Sequence, residues 1–229
     1  MIKALLTGTA LVGALLLSVL PAKAGPLAAK FGDIVVVTSS QISSGETATI
    51  SFAGLPANPL SVYSGPEKLF GTFGPAHTAF SDALVYCTDL YNYSAASATY
   101  TVGYLTSSHQ PSGNNDLTAL QVNNIATLIS ANHADQSATQ LAIWSVEYGT
   151  AFSFTNTSAQ TAADVAAYLA PLNGSAPQNV QLYQLHDTGV QGFAYVASVP
   201  EPASLAVLAA GILGLGRVKR RTASLVQVS

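Results

Sequence analysis

At 229 residues the chain carries 8 lysines and arginines against 11 aspartates and glutamates, a formal net charge of −3, with 8% charged and 49% hydrophobic residues. Within residues 25–199 the imbalance sharpens. Lys30 and Lys68 are the only basic residues there, and they face Asp33, Glu46, Glu67, Asp82, Asp89, Asp116, Asp135, Glu147, Asp164 and Asp187, two positive against ten negative. Such a surface repels phosphate backbones and excludes nucleic-acid binding, while its Ser, Thr, Asn, Gln, Ala and Gly content suits an exported protein better than a cytosolic enzyme.

At the N-terminus, Lys3 precedes an apolar run over 4–20, then Pro21 and the small-residue site Ala22-Lys23-Ala24. This order predicts a cleavable signal peptide over 1–24, because the run is near the lower limit for a membrane span and ends in a helix breaker and an Ala-x-Ala site. The mature chain is then expected to begin at Gly25, with residues 25–198 forming one domain large enough for a sizeable core. Export leaves Cys87, the single cysteine, without a disulfide partner in an oxidising compartment, and such a thiol needs an explanation.

Along that domain, residues 33–38 and 46–52 are β-rich runs bounded by Ser and Gly clusters. Residues 54–74 read as loop, with Pro56, Pro59 and Pro66 inside and Pro75 just beyond. Strand character resumes over 80–90 and 98–105, where Tyr100, Val102 and Tyr104 alternate along one face. The period then changes: Leu117, Leu120, Ile125, Leu128 and Ile129 recur at helical spacing. A second helix is expected over 137–148, stopped by Gly149, and a third over 159–169, ending before Pro171. Residues 180–185 and 192–197 read as closing strands. Strands, an inserted helical segment and closing strands predict an α+β domain, a β-sandwich or barrel interrupted by helices.

Two short motifs carry the chemistry: Tyr86-Cys87-Thr88-Asp89-Leu90 at a strand end, and Thr139-Gln140-Leu141-Ala142-Ile143-Trp144 on the second helix. Gln140, Ile143, Trp144 and Glu147 share one helical face. That arrangement turns a glutamine toward apolar surroundings, where its amide needs hydrogen-bond partners or a reason to give up its NH₂.

Over residues 80–149 these motifs resemble the thioester domains of bacterial surface adhesins, whose best-known members come from Gram-positive bacteria. The Thr-Gln-x-Ala-Ile-Trp segment matches residue by residue, whereas Thr88 takes a position more often apolar in that family. The resemblance implies an internal thioester between Cys87 and Gln140, shielded or oriented by Tyr86, Asp89, Ile143, Trp144 and Tyr148. It also implies covalent attachment to amines on a protein or polysaccharide matrix, with no cofactor and no enzymatic turnover beyond formation of the bond itself.

Other readings stand beside it. Cys87 alone reads as a small buried hydrophobe in an inert structural matrix protein. A secreted cysteine hydrolase would need Cys87 as nucleophile with His109 or His133 as base, although both histidines sit in polar, loop-like contexts and no protease signature surrounds the cysteine. His77, His109, His133 and His186 are scattered singly, without the paired spacing of a metal site.

At the C-terminus, Val199-Pro200-Glu201-Pro202 leads into an apolar stretch over 203–215, closed by Arg217, Lys219, Arg220 and Arg221. An apolar helix followed by basic residues enters a bilayer and keeps the positive cluster on the cytoplasmic side. Residues 199–221 resemble the PEP-CTERM sorting signal of Gram-negative bacteria, with Pro200, Glu201 and Pro202 as its tripeptide. That family usually ends sooner than this chain, which continues with a short tail over 222–229. The resemblance implies transient inner-membrane attachment through the C-terminal helix and processing by an exosortase-type protease. It implies a final place at the cell surface or in a biofilm matrix.

Overall fold

The computed structural model describes residues 27–55, 57–108 and 115–199. The expected signal peptide, the sorting segment with Pro200, Glu201 and Pro202, and His109 lie outside these residues. In chain order the elements are β1 (Ile34–Ile42), β2 (Glu46–Ser51), β3 (Leu60–Ser64), β4 (Glu67–Phe73), β5 (Thr78–Cys87), β6 (Ala98–Gly103) and the two-residue strands β7 (Ser107–Ser108) and β8 (Asn115–Asp116). There follow α1 (Ala119–Ser130), α2 (Gln136–Tyr148), a single 3₁₀ turn (Gly149–Ala151), β9 (Ser153–Thr155), α3 (Ala159–Leu169), β10 (Val180–His186) and β11 (Phe193–Ser198).

Six strands close an antiparallel barrel in the order β1-β4-β5-β11-β10-β6. Period-two alternation fills it, because residues two apart on a strand share a face. Val35 and Val37, Ala83 and Val85, Tyr100 and Val102, and Phe193 and Tyr195 all enter one buried cluster with Leu69 and Leu185. A separate sheet, β3-β2-β9, faces the helices. Its Ala48 and Ile50 join Ile125, Leu128, Leu141, Ile143, Trp144 and Val165 in a second cluster. The domain is therefore α+β, a barrel interrupted by a helical segment, with a second core where helices and small sheet meet.

Each helix begins where a side chain answers its first free N–H groups. Thr118 and Gln121 form a capping box at α1, Asp135 accepts from Ala138 at α2, and Ser158 accepts from Thr161 at α3. Gly149 ends α2 with φ 65°, a backbone conformation that favours glycine. From Ser137 to Trp144 every residue of α2 is buried. It is thus a central helix covered on all sides rather than a surface helix with one apolar stripe.

Two expectations are corrected. Residues 54–74 are not one loop but hold β3 and β4, because Pro59 precedes β3, Pro66 separates the two strands and Pro75 follows β4. Prolines at strand ends punctuate a sheet, and only an interior proline removes a ladder bond. The strand expected over 80–90 ends at Cys87, its pairing with β11 reduced to Phe193↔Cys87 and Ala194↔Tyr86.

The register of β1 and β4 slips between Val37 and Ser39, and that of β4 and β5 between Leu69 and Gly71. At that crowded point a Cβ on Gly71 would lie 2.0 Å from the Val36 carbonyl oxygen. Backbone must move to admit it. Gly71→Ala is expected to destabilise the domain by about 1–3 kcal/mol, the usual cost of overpacking, read as a lowered urea midpoint at unchanged slope.

Candidate functional site at the end of strand β5

Val85 lies in the barrel core, and Cys87, two residues on along β5, lies in the core shared with the helices and is the last residue before the chain leaves the ladder. Beyond it the chain makes a turn built by Asp89. Its Oδ1 accepts from the N–H groups of Tyr91 (2.8 Å) and Asn92 (3.2 Å), and its Oδ2 from Asn92 Nδ2 (2.7 Å). The turn brings the Asp89 main chain back to the cysteine. Cys87 Sγ donates to the Asp89 carbonyl (3.1 Å) and accepts from the Asp89 N–H (3.4 Å).

Helix α2 meets this strand end with its buried face. Cys87 N–H donates to Gln140 Oε1 at 2.9 Å, and Gln140 Nε2 donates to the Cys87 carbonyl at 2.8 Å. The same carbonyl accepts Trp144 Nε1 at 3.0 Å. A fully buried amide is thereby answered at both ends by a single residue. Near the start of the helix the Tyr86 hydroxyl donates to Gln136 Oε1. At its end the Tyr148 hydroxyl accepts from Leu90 N–H at 3.4 Å. Ile143 is fully buried beside them.

The electrostatics reflect this dryness. Burial pushes the Cys87 thiol well up, the Asp89 hydrogen bond lowers it, and the charges of Glu147, Asp89 and Glu67 raise it further. Burial likewise raises Tyr86 and Tyr148. Glu147 is buried on the Gln140 helix, and neither carboxylate oxygen has a hydrogen-bond partner. Desolvation, then the Asp89 charge, pushes its carboxyl well above the ordinary range.

A cleft of about 330 Å³ reaches this point from the surface. Cys87, Trp144 and Gln191 lie at its inner end, with Leu60, Val62, Tyr63, Leu90 and Tyr93 along its walls. Cys87 itself is 7% exposed and Gln140 0%, so the cleft touches the cysteine without wetting the amide.

The residues singled out in the sequence, Tyr86, Cys87, Asp89, Gln140, Ile143, Trp144 and Tyr148, therefore lie together where β5 and α2 meet. Asp89 acts on the turn, and the backbone donor on the Gln140 amide is Cys87's own N–H. Sequence reasoning missed Gln191, whose Nε2 donates to Cys87 Sγ at 2.8 Å and to the Asp89 carbonyl at 3.2 Å. It sits between Gly189 and Gly192 with nothing local to distinguish it, and only the β5–β11 pairing brings it here. Glu147 was visible at the seventh position after Gln140, but its missing partners were not.

Among the described residues no histidine bonds the sulfur. His133 stacks on Tyr168 with ring centroids 3.7 Å apart, and none of the described residues lining the cleft is a histidine. Among the described residues no three His, Cys, Asp or Glu side chains group as metal ligands. No helix among them is long and apolar enough to cross a membrane.

Residues 198–221 match the PEP-CTERM protein-sorting motif, which marks a chain for export and surface sorting in bacteria. No curated protein matches the chain in sequence. The fold is similar to the N-terminal thioester domain of a surface protein from Clostridium perfringens, at 13% identity and TM-score 0.43, covering 68% of this chain and 100% of that one. A cysteine-to-alanine mutant of that domain matches at 12% and 0.42, covering 66% and 99%. The N-terminal domain of the Streptococcus pyogenes pilus tip adhesin Cpa matches at 13% and 0.36, covering 71% and 100%.

The raised Glu147 carboxyl sets a pH dependence. A carboxyl whose pKa is raised in the fold contributes stability fully present below its unfolded value and lost as pH rises through the folded one. In a Cys87→Ala background, Glu147→Gln is expected to gain stability relative to its parent as pH rises above 4.5. The gain is at most about 1.4 kcal/mol per pH unit, checked by urea unfolding at pH 5 and pH 8.

Proposed function

We propose that this is an exported cell-surface or matrix protein of a Gram-negative bacterium whose domain forms an internal Cys87–Gln140 thioester and attaches covalently to amine-bearing partners. The C-terminal signal is processed by an exosortase-type protease after transient attachment to the inner membrane. The observation that carries the thioester is the double hydrogen bond between the Gln140 amide and the Cys87 main chain. It holds an amide carbonyl beside the residue that bears the only thiol of the chain.

The chemistry rests on that placement. Cys87 Sγ attacks Gln140 Cδ, and the N–H on Oε1 stabilises the negative charge that develops on the amide oxygen. The C–N bond breaks, the thiol proton leaves with the nitrogen as ammonia, and a C–S bond remains. Holding both groups on packed elements replaces a bimolecular encounter with a local one. Burial of Gln140, Ile143 and Trp144 keeps water from the product. An amine entering by the cleft then displaces the sulfur, leaving an amide at Gln140 and a free Cys87 thiol. The partner is a protein or polysaccharide amine, and the domain reacts once.

Intact mass decides the matter, comparing the purified full-length protein with its Cys87→Ala variant prepared in the same way. The wild type is expected to be lighter than the substitution alone accounts for by one ammonia. Methylamine should then add at Gln140 and release one titratable thiol. A wild type with no ammonia deficit and a free Cys87 thiol would instead support an inert buried cysteine in a structural matrix protein.

A further inference from the structure

A thioester that reacts with amines faces a protonation problem, since a primary alkyl amine is a cation at neutral pH (pKa about 10.4 for a lysine side chain) and only its free base is a nucleophile. We propose, resting on the thioester reading, that Glu67 anchors the incoming alkylammonium in the cleft and acts as the general base that frees it to attack. Glu67 is the only carboxylate among the described residues lining the cleft, and no lysine, arginine or histidine accompanies it there.

Its position relative to the sulfur is set by strand register. Glu67 on β4 pairs with Val85 on β5, and Cys87 lies two residues further along β5. Glu67 and Cys87 therefore share the inner face of the sheet as diagonal neighbours, a relation that sets side chains about 7–8 Å apart at their bases. That spacing leaves room for one small group between them. Ser94 and Ser40 hydrogen-bond the carboxylate, so it is held at the barrel mouth.

The rest of the cleft suits the stem of such an amine. Leu60, Val62, Tyr63 and Tyr93 offer apolar and aromatic surface along its walls, fitted to methylene groups and to a cation passing over aromatic faces. Burial raises the affinity of Glu67 for a proton, which brings an acid and an ammonium closer in basicity. The sequence of steps balances. Glu67 takes one N–H proton from the ammonium, the amine attacks Gln140 Cδ, the C–S bond breaks, the sulfur leaves as the Cys87 thiol with that proton returned through Glu67, and one of the two protons left on the attacking nitrogen passes to water. An N-substituted amide remains at Gln140, and Glu67 is again a carboxylate.

The test uses the full-length protein, with thioester content established by the ammonia deficit, and follows adduct mass and thiol release. Two probes are compared: n-butylamine, which is cationic at pH 7, and hydroxylamine, which is largely uncharged there. Glu67→Gln keeps the size of the side chain while removing its charge and basicity. It is expected to slow butylamine about 100-fold, the usual scale of general-base catalysis, and hydroxylamine by less than about 3-fold. Equal slowing of both probes, or of neither, overturns the proposal.

Should the variant not accumulate thioester, the wild type decides by itself. Its butylamine-to-hydroxylamine rate ratio is expected to exceed that of a small alkyl thioester in solution by at least about tenfold, and a ratio equal to the solution value overturns the role of Glu67. A wild type lacking the ammonia deficit overturns the thioester and this proposal together, whereas a deficit with probe-independent rates overturns this proposal alone.

Discussion

A primary amide taken out of water must be met by hydrogen bonds at both its oxygen and its nitrogen, and this fold meets the Gln140 amide with the main chain of Cys87. Everything else at the site depends on that clamp. It fixes the distance between the central helix and the end of β5, and it consumes the backbone groups that a strand loses when it leaves its ladder. Trp144 completes it by giving its indole N–H to the same carbonyl. The polar needs of helix and strand are thus satisfied by each other, inside a core that offers no water to either.

The clamp requires a strand that stops where Cys87 stands. The β5–β11 pairing is only two residues long, and the Asp89 turn diverts the chain immediately afterward. The diversion sets the Asp89 main chain and Gln191 against the sulfur, with Gln191 itself tied to the turn segment by its N–H on the Tyr93 carbonyl. Three stretches far apart in sequence, the end of β5 with its turn, α2 and the segment before β11, converge at one residue, Cys87. The barrel thereby has two roles: its interior is an ordinary alternating core, and its mouth is where the thiol, the amide and the cleft meet.

Charge placement keeps Lys68 away from this mouth. Lys68 comes directly after Glu67 in sequence, so strand alternation sends it to the opposite face, where it pairs with Asp82 at 3.8 Å on the exposed side of the barrel. The carboxylate faces the cleft and the ammonium faces away. The barrel thus keeps one of the two amines in residues 25–199 out of the site by the same period-two rule that fills its core.

Much of the fold was legible along the chain. Alternation marks the barrel strands, the 3.6-residue period marks the helices, and Gly149 bounds α2 where cap chemistry predicts. Proline spacing was misread over 54–74, since a proline's meaning depends on whether it falls inside a strand or at its end, and pairing decides that. The sequence by itself determined that Cys87 lies near the end of a strand, that Gln140 and Trp144 share a helical face, and that the C-terminus carries a sorting motif, because these are matters of local order and period. Only the tertiary structure decided that the amide rests on the Cys87 backbone, that Gln191 reaches the sulfur, that Glu147 is buried without a partner and that Glu67 faces the same cleft. Those relations arise from strand register, barrel closure and helix docking between segments distant in sequence, 53 residues apart for Cys87 and Gln140 and 104 for Cys87 and Gln191, where local sequence exerts no constraint.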